Sequence, residues 1–156
     1  MIGVSDTEFA PNSTTNRVML AQILYRMAGT PRVIAKCPFE DVPADAWYHD
    51  AVTWAALNGI VKGVSNTRFA PYEEISREQL AVMLYRYAGY IGYSTSRTDD
   101  LSRFTDVQDI SDYAVDAVKW AVAVGLINGR TSTTLVPKGT ATRAEMAAIL
   151  YRFLKE

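Results

Sequence analysis

The sequence predicts a mainly α fold of tandem helix–loop–helix repeats, and two observations carry that prediction. The run Ile23-Leu24-Tyr25-Arg26-Met27-Ala28-Gly29 returns 60 residues later as Met83-Leu84-Tyr85-Arg86-Tyr87-Ala88-Gly89, and after a further 66 as Ile149-Leu150-Tyr151-Arg152-Phe153. Around each copy, apolar residues recur at three- and four-residue spacing, the mark of a helix with one buried face.

The elements follow in order. Asn16, Ser76 and Thr142 are good N-caps, since a short polar side chain can accept from a free amide of the first turn. Behind them run the stripes Leu20, Ile23, Leu24, Met27; Leu80, Met83, Leu84, Tyr87; and Met146, Ile149, Leu150, Phe153. Gly29 and Gly89 stand where a left-handed residue closing the helix is expected. Upstream of each helix lies a matching turn: Phe9-Ala10-Pro11, Phe69-Ala70-Pro71 and Leu135-Val136-Pro137. Gly3, Gly63 and Gly129 precede these, each opening a polar loop. The loop 63–71 is too short and polar for a helix, and a brief extended stretch is expected at Arg68-Phe69.

A second set of matches covers two copies. Phe39-Glu40-Asp41-Val42 pairs with Phe104-Thr105-Asp106-Val107, and Ala51-Val52-Thr53-Trp54-Ala55 with Ala117-Val118-Lys119-Trp120-Ala121. Asn58-Gly59-Ile60-Val61 pairs with Val124-Gly125-Leu126-Ile127. These predict a further helix at about 48–58 and about 113–124, each ended by a glycine. Only Met1 and Ile2 precede Gly3, so the first repeat is expected to lack its first half. The predicted repeats are 1–29, 39–89 and 104–156, together one domain, joined by Pro-, Gly-, Ser- and Thr-bearing linkers at 30–38 and 90–103. Two short amphipathic helices cannot bury both apolar faces alone, so the units are expected to stack.

The ordered run Phe-x-Asp-Val, Trp-Tyr, Ala-Val-x-Trp-Ala, Asn-Gly-Ile-Val-x-Gly, Phe-x-Pro, Ser-Arg-Glu resembles an S-layer homology repeat. Ala141-Thr142-Arg143-Ala144-Glu145-Met146 is similar to that family's Thr-Arg-Ala-Glu signature. The resemblance covers nearly the whole chain. It implies a three-repeat, pseudo-threefold helical bundle that anchors exported proteins to the bacterial cell wall or S-layer. The implied partner is a secondary cell-wall polysaccharide, often bearing pyruvate ketals, bound in grooves between neighbouring repeats. The signature arginine, the early aspartate and tryptophan of a repeat, and the glycine loop are implied to contribute.

The chemistry of those positions is concrete. Arg17, Arg77 and Arg143 recur just after the helix cap, where a guanidinium could grip a ketal carboxylate with two parallel hydrogen bonds and the helix N-terminus would add free amides. The alternative is that each pairs with a nearby acid or bridges repeats. Arg26, Arg86 and Arg152 recur equally well near helix C-termini, where a cation is simply favourable, and a structural role is expected. Trp47 could stack on a pyranose face; allowing one inserted residue in 108–112, Tyr113 takes its place in the next repeat. Trp54 and Trp120 fall among Ala and Val and read as core. Asp41 and Asp106 fit either sugar hydroxyls or backbone amides of their loop. Gly63 and Gly129 fit either a positive φ or close approach of a ligand. Glu145 is replaced by Gln79 and Met19 in the other repeats. Arg17 is expected to share a groove with the Asp41–Trp47 region and Arg77 with Asp106–Tyr113, leaving the Arg143 groove incomplete.

Composition narrows the alternatives. Sixteen basic against seventeen acidic residues give a net charge of −1, with no bulk attraction for nucleic acid or acidic membranes. No apolar run approaches the roughly 20 residues of a membrane span. Cys37 is the sole cysteine and His49 the sole histidine, so neither an internal disulfide, a cofactor nor catalytic chemistry is expected. Residues 1–6 lack a secretory leader's basic start and apolar run, which suits an intracellular protein or a segment of a longer exported one. The competing reading is a protein-interaction or self-assembly module, in which a second copy closes the short first repeat to make a homodimer.

Overall fold

The three cap-to-stripe patterns fold as predicted. In the computed structural model, which describes residues 13–155, helices α1 (Arg17–Met27), α3 (Arg77–Tyr90) and α5 (Arg143–Leu154) begin at caps Asn16, Ser76 and Thr142. Each cap side chain accepts from the third residue of its helix, and Gln79 and Glu145 return the bond in full capping boxes. The stripes of α3 and α5 are wholly buried, whereas on α1 Leu20 and Leu24 are buried and Ile23 and Met27 half-buried. The expected turn at 9–11 and Gly3 lie outside the described residues. Among the described residues there is no strand, and none at Arg68-Phe69; only isolated bridges occur.

The other helices are α2 (His49–Leu57) and α4 (Val115–Ala123). Gly59 and Gly125 follow them at φ +71° and +80°, which lets Ile60 and Leu126 turn back to bond the last carbonyls. Two short 3₁₀ turns, Val107–Asp109 and Asp112–Ala114, precede α4, so its start is less regular than the sequence suggested.

One expected cap moves. Gly89 lies inside α3 with helical φ, and Gly92 takes the left-handed conformation at φ +85°. The extra turn places Tyr87 and Tyr93 against Phe153 of α5, each with ring centroids 5.8 Å apart. Contact of the partly exposed Tyr93 with the buried Phe153 ring outweighs the local preference of Gly89 to end a helix.

The chain divides into two compact units. One spans Asn16–Glu74 and contains α1 and α2; the other combines the segment up to Thr15 with Ile75 onward and contains α3, α4 and α5. In the first, Tyr25 of α1 packs on the buried Trp54 of α2 at 5.6 Å. In the second, Tyr85 of α3 packs on the buried Trp120 of α4 at 5.5 Å. Both tryptophans are core, as expected. The helix closing one sequence repeat thus packs on the helix opening the next.

The larger unit also holds a closed hydrogen-bond ring of the residues just before the three caps. Ile75 N–H donates to Thr15 C=O (2.9 Å), Ala141 N–H to Ile75 C=O (3.0 Å), and Thr15 N–H to Ala141 C=O (3.2 Å). All three residues are buried, so this ring satisfies backbone groups that water cannot reach.

Candidate functional site

The site is built on a turn held from both sides. In the Asn16–Glu74 unit, Asp41 accepts from Phe69 N–H (2.8 Å) and Ala70 N–H (2.7 Å). Arg17 Nε donates to the carbonyl of the same Phe69 (2.9 Å) and Nη2 to Lys62 C=O (2.9 Å). Its guanidinium also lies 4.7 Å from the Phe69 ring centroid. The other unit repeats the arrangement. Asp106 accepts from Leu135 N–H (2.9 Å) and Val136 N–H (2.8 Å), while Arg77 donates to Leu135 C=O (2.9 Å) and Asn128 C=O (2.6 Å). Arg17 and Asp41 thus hold one backbone turn from its two sides, and Arg77 and Asp106 hold the other. Ala70 and Val136 are held at φ +58° and +52°, strained values for residues with a Cβ.

This geometry assigns the two aspartates to their loops. Burial pushes their carboxyls up, but the paired amide N–H groups outweigh it and hold both below the usual carboxylate range. The expected free amides at the helix N-termini are also engaged. Arg17 and Val18 N–H donate to Glu73 and Pro71 carbonyls, and Arg77 and Glu78 N–H to Gly139 and Pro137 carbonyls. Stacking of the repeats satisfies these donors before any ligand arrives. Arg17, Arg77 and Arg143 are likewise buried, at 6%, 6% and 4% exposure, so none stands out as an open fork.

Gly63 and Gly129 need neither positive φ nor a ligand to explain them. A Cβ on Gly129 would strike the carbonyls of Thr131 and Thr134 and the Phe104 ring; on Gly63 it would strike those of Ser65 and Arg68 and the Phe39 ring. Gly129→Ala is expected to cost about 1–3 kcal/mol by overpacking. Gly89→Ala, at a helical position with nothing within 4 Å, is expected to gain about 0.5–1 kcal/mol. Urea denaturation of the pair checks both signs.

A cavity of about 260 Å³ opens beside Arg77, lined also by Asn128, Gly129, Glu145 and Arg152. Glu145 is its hinge: it bonds Arg77 Nη1, Arg130 Nη2 (2.8 Å) and Thr142 N–H (3.0 Å). Burial pushes the Glu145 carboxyl up, but the Arg130 bond, the Thr142 amide and the charge of Arg77 hold it low. Burial lowers Arg77, and Glu145 opposes that change. Exposed Arg152 donates to Leu126 C=O (3.1 Å) on the cavity wall. Arg77 and Arg152 line the cavity with Glu145 as its one carboxylate, and Arg130 bonds that carboxylate from outside, which leaves the cavity positive. Sequence reasoning gave Arg152 a structural role and did not single out Arg130. Arg152 was explained by its helix end, and Arg130 has Val64 in the matching place, so recurrence could not find it.

Trp47 and Tyr113 are exposed, at 62% and 58%, as stacking would require. Trp47 is braced edge-on by Tyr48 at 5.1 Å, and Tyr48 by Tyr72 at 5.7 Å. His49 lies 3.0 Å from Asp50, an exposed local pair at the start of α2. Among the described residues no cluster of metal-type ligands occurs, and no helix is long and apolar enough to cross a membrane.

Comparison with known proteins places this geometry. The S-layer homology domain pattern matches residues 38–81 and 103–147. The chain is 30% identical, over 99% of its length, to an amylopullulanase of Thermoanaerobacterium thermosulfurigenes, of which it spans 8%. It is 32% identical, over 98% of its length, to the surface-layer 125 kDa protein of Lysinibacillus sphaericus, spanning 13% of that protein. It is 24% identical, over 94% of its length, to a cellulosome-anchoring protein of Acetivibrio thermocellus, spanning 33% of it. With both pattern matches carrying the Asp clamp, the glycine loop and the post-cap arginine, the chain belongs to the S-layer homology domain family.

Proposed function

We propose that this chain is a non-catalytic module that holds a longer exported protein at the bacterial cell surface by binding a secondary cell-wall polysaccharide. The observation that carries the reading is the positive cavity between Arg77, Gly129, Glu145 and Arg152. At about 260 Å³ it sits near the lower end of small-molecule pockets, which suits one acidic sugar residue and not an oligosaccharide. A pyruvate ketal presents such a carboxylate, and the exposed Arg152 is the group best placed to meet it. In this reading Trp47 and Tyr113 each stack on a pyranose ring. Asp41, Asp106, Gly63, Gly129, Arg17 and Arg77 shape the loops that present them, Glu145 fixes the guanidinium groups, and Arg143 belongs to the incomplete third site.

The relatives support a shared surface role. One near-complete alignment reaches a surface-layer protein, another a cellulosome-anchoring protein, and a third covers a small fraction of an amylopullulanase. The ring of Thr15, Ile75 and Ala141 supports counting three repeats, with the first represented by its second half.

The test is binding of polysaccharide released from cell walls, followed by calorimetry across a salt series. Arg152→Ala is expected to weaken binding about tenfold or more and to flatten the salt dependence, with little change in stability. Unchanged affinity at every salt concentration would overturn the assignment of the cavity.

A further inference from the structure

Among the described residues of the larger unit, Glu78 is the one acid whose burial the proposed site leaves unexplained. It is the second residue of α3, is 2% exposed, and shares the lining of a small, mostly apolar cleft with Arg77, Val118, Ile127, Leu135 and Pro137. A carboxylate in such surroundings is costly unless something specific repays it. Packing alone does not require it. At the matching position of α1 stands Val18, 1% exposed, whose N–H bonds Pro71 C=O just as Glu78 N–H bonds Pro137 C=O. An acid is favoured near a helix N-terminus, but an exposed one would gain that interaction without the burial.

The carboxylate is used on the loop before α4. Ser111 N–H donates to Glu78 Oε2 (3.2 Å) and Ser111 Oγ to Oε1 (3.2 Å). Ser111 stands at the N-cap of the 3₁₀ turn Asp112–Ala114, and its hydroxyl turns to Glu78 instead of capping that turn. This is the stretch that carries one more residue than the loop before α2, where the partner position is Val18. Ile110 and Ala114 are buried on either side, so Glu78 fixes the middle of a segment whose ends are already packed. Tyr113 lies inside that segment and is 58% exposed.

We infer that Glu78 is a positioning residue that presets the Ser111–Ala114 turn so that Tyr113 is presented to the sugar. This rests on the reading of Tyr113 as a sugar-facing ring. The chain thus uses an extra residue and a buried acid in one repeat to obtain what Trp47 and its shorter loop achieve in the other.

The experiment compares the full chain with Glu78→Val, Glu78→Gln, Tyr113→Ala and the Glu78→Val/Tyr113→Ala double variant. Two readouts are taken: amide hydrogen exchange at residues 111–113, and pelleting with cell-wall sacculi that carry their polysaccharide. Both Glu78 variants are expected to stay folded, with Glu78→Val at least as stable as the parent. Exchange at those amides is expected to rise about tenfold or more. Pelleting is expected to weaken, and the double variant to pellet no worse than Tyr113→Ala alone. Unchanged exchange in both Glu78 variants would overturn the positioning role. Pelleting by Tyr113→Ala equal to the parent would instead overturn the sugar-facing premise, so the two failures are distinguishable.

Discussion

Asp106→Ala is expected to destabilise the chain by about 2–4 kcal/mol, read by urea denaturation. Asp106 accepts two charge-assisted bonds, from Leu135 and Val136 N–H, each worth about 1.5–3 kcal/mol when lost. Val136 is a β-branched residue at φ +52°, and without the clamp only Arg77 on Leu135 C=O and Gly139 N–H on Val136 C=O still hold that strained turn. Asp106→Asn is expected to fall between parent and alanine, because one amide N–H would face the Asn NH₂. The same carboxylates set the acid response. Asp41 and Asp106 have folded values lowered below their unfolded ones, so their stabilisation is complete above the ordinary aspartate value of about 3.9. It is lost as pH falls through the lower folded values. The parent should therefore lose stability on acidification below about pH 4, and Asp106→Ala should show a shallower slope there.

Arg77→Ala is expected to cost about 3–5 kcal/mol. The buried guanidinium satisfies Leu135 C=O, Asn128 C=O and Glu145 together, and removing it strips two carbonyls of a charged donor while Glu145 keeps only Arg130 and the Thr142 amide. Arg77→Lys should recover only part of this, since one ammonium cannot reproduce the three-way fork. Circular dichroism in denaturant measures both. A binding defect in any Arg77 variant is therefore interpretable only beside its stability, which makes exposed Arg152 the cleaner probe of ligand contact.

Comparison of these residues shows where sequence was informative. Caps, stripes and core tryptophans are decided locally, by one helix turn and one face, and Asn16, Ser76, Thr142, Trp54 and Trp120 all behave as read. The recurrence of Arg17 and Arg77, and of Asp41 and Asp106, identified a pair that acts together, yet not its object. That object is the backbone of the Phe69 and Leu135 turns, which no side-chain pattern encodes. Gly89 was misjudged because the decision between Gly89 and Gly92 lies with Phe153, sixty-odd residues away. Glu78 and Arg130 were invisible for the opposite reason: they belong to one repeat only, and self-comparison discards what does not recur. The ring of Thr15, Ile75 and Ala141 was legible as three equivalent positions, but its hydrogen bonds appear only on folding.

The most direct test of the surface-anchoring account is co-sedimentation of the intact chain with purified sacculi, before and after chemical removal of their attached polysaccharide. The account predicts pelleting with the decorated sacculi and none with the stripped ones. Pelleting that persists after the polysaccharide is gone, or none with decorated sacculi of several wall types, would contradict it.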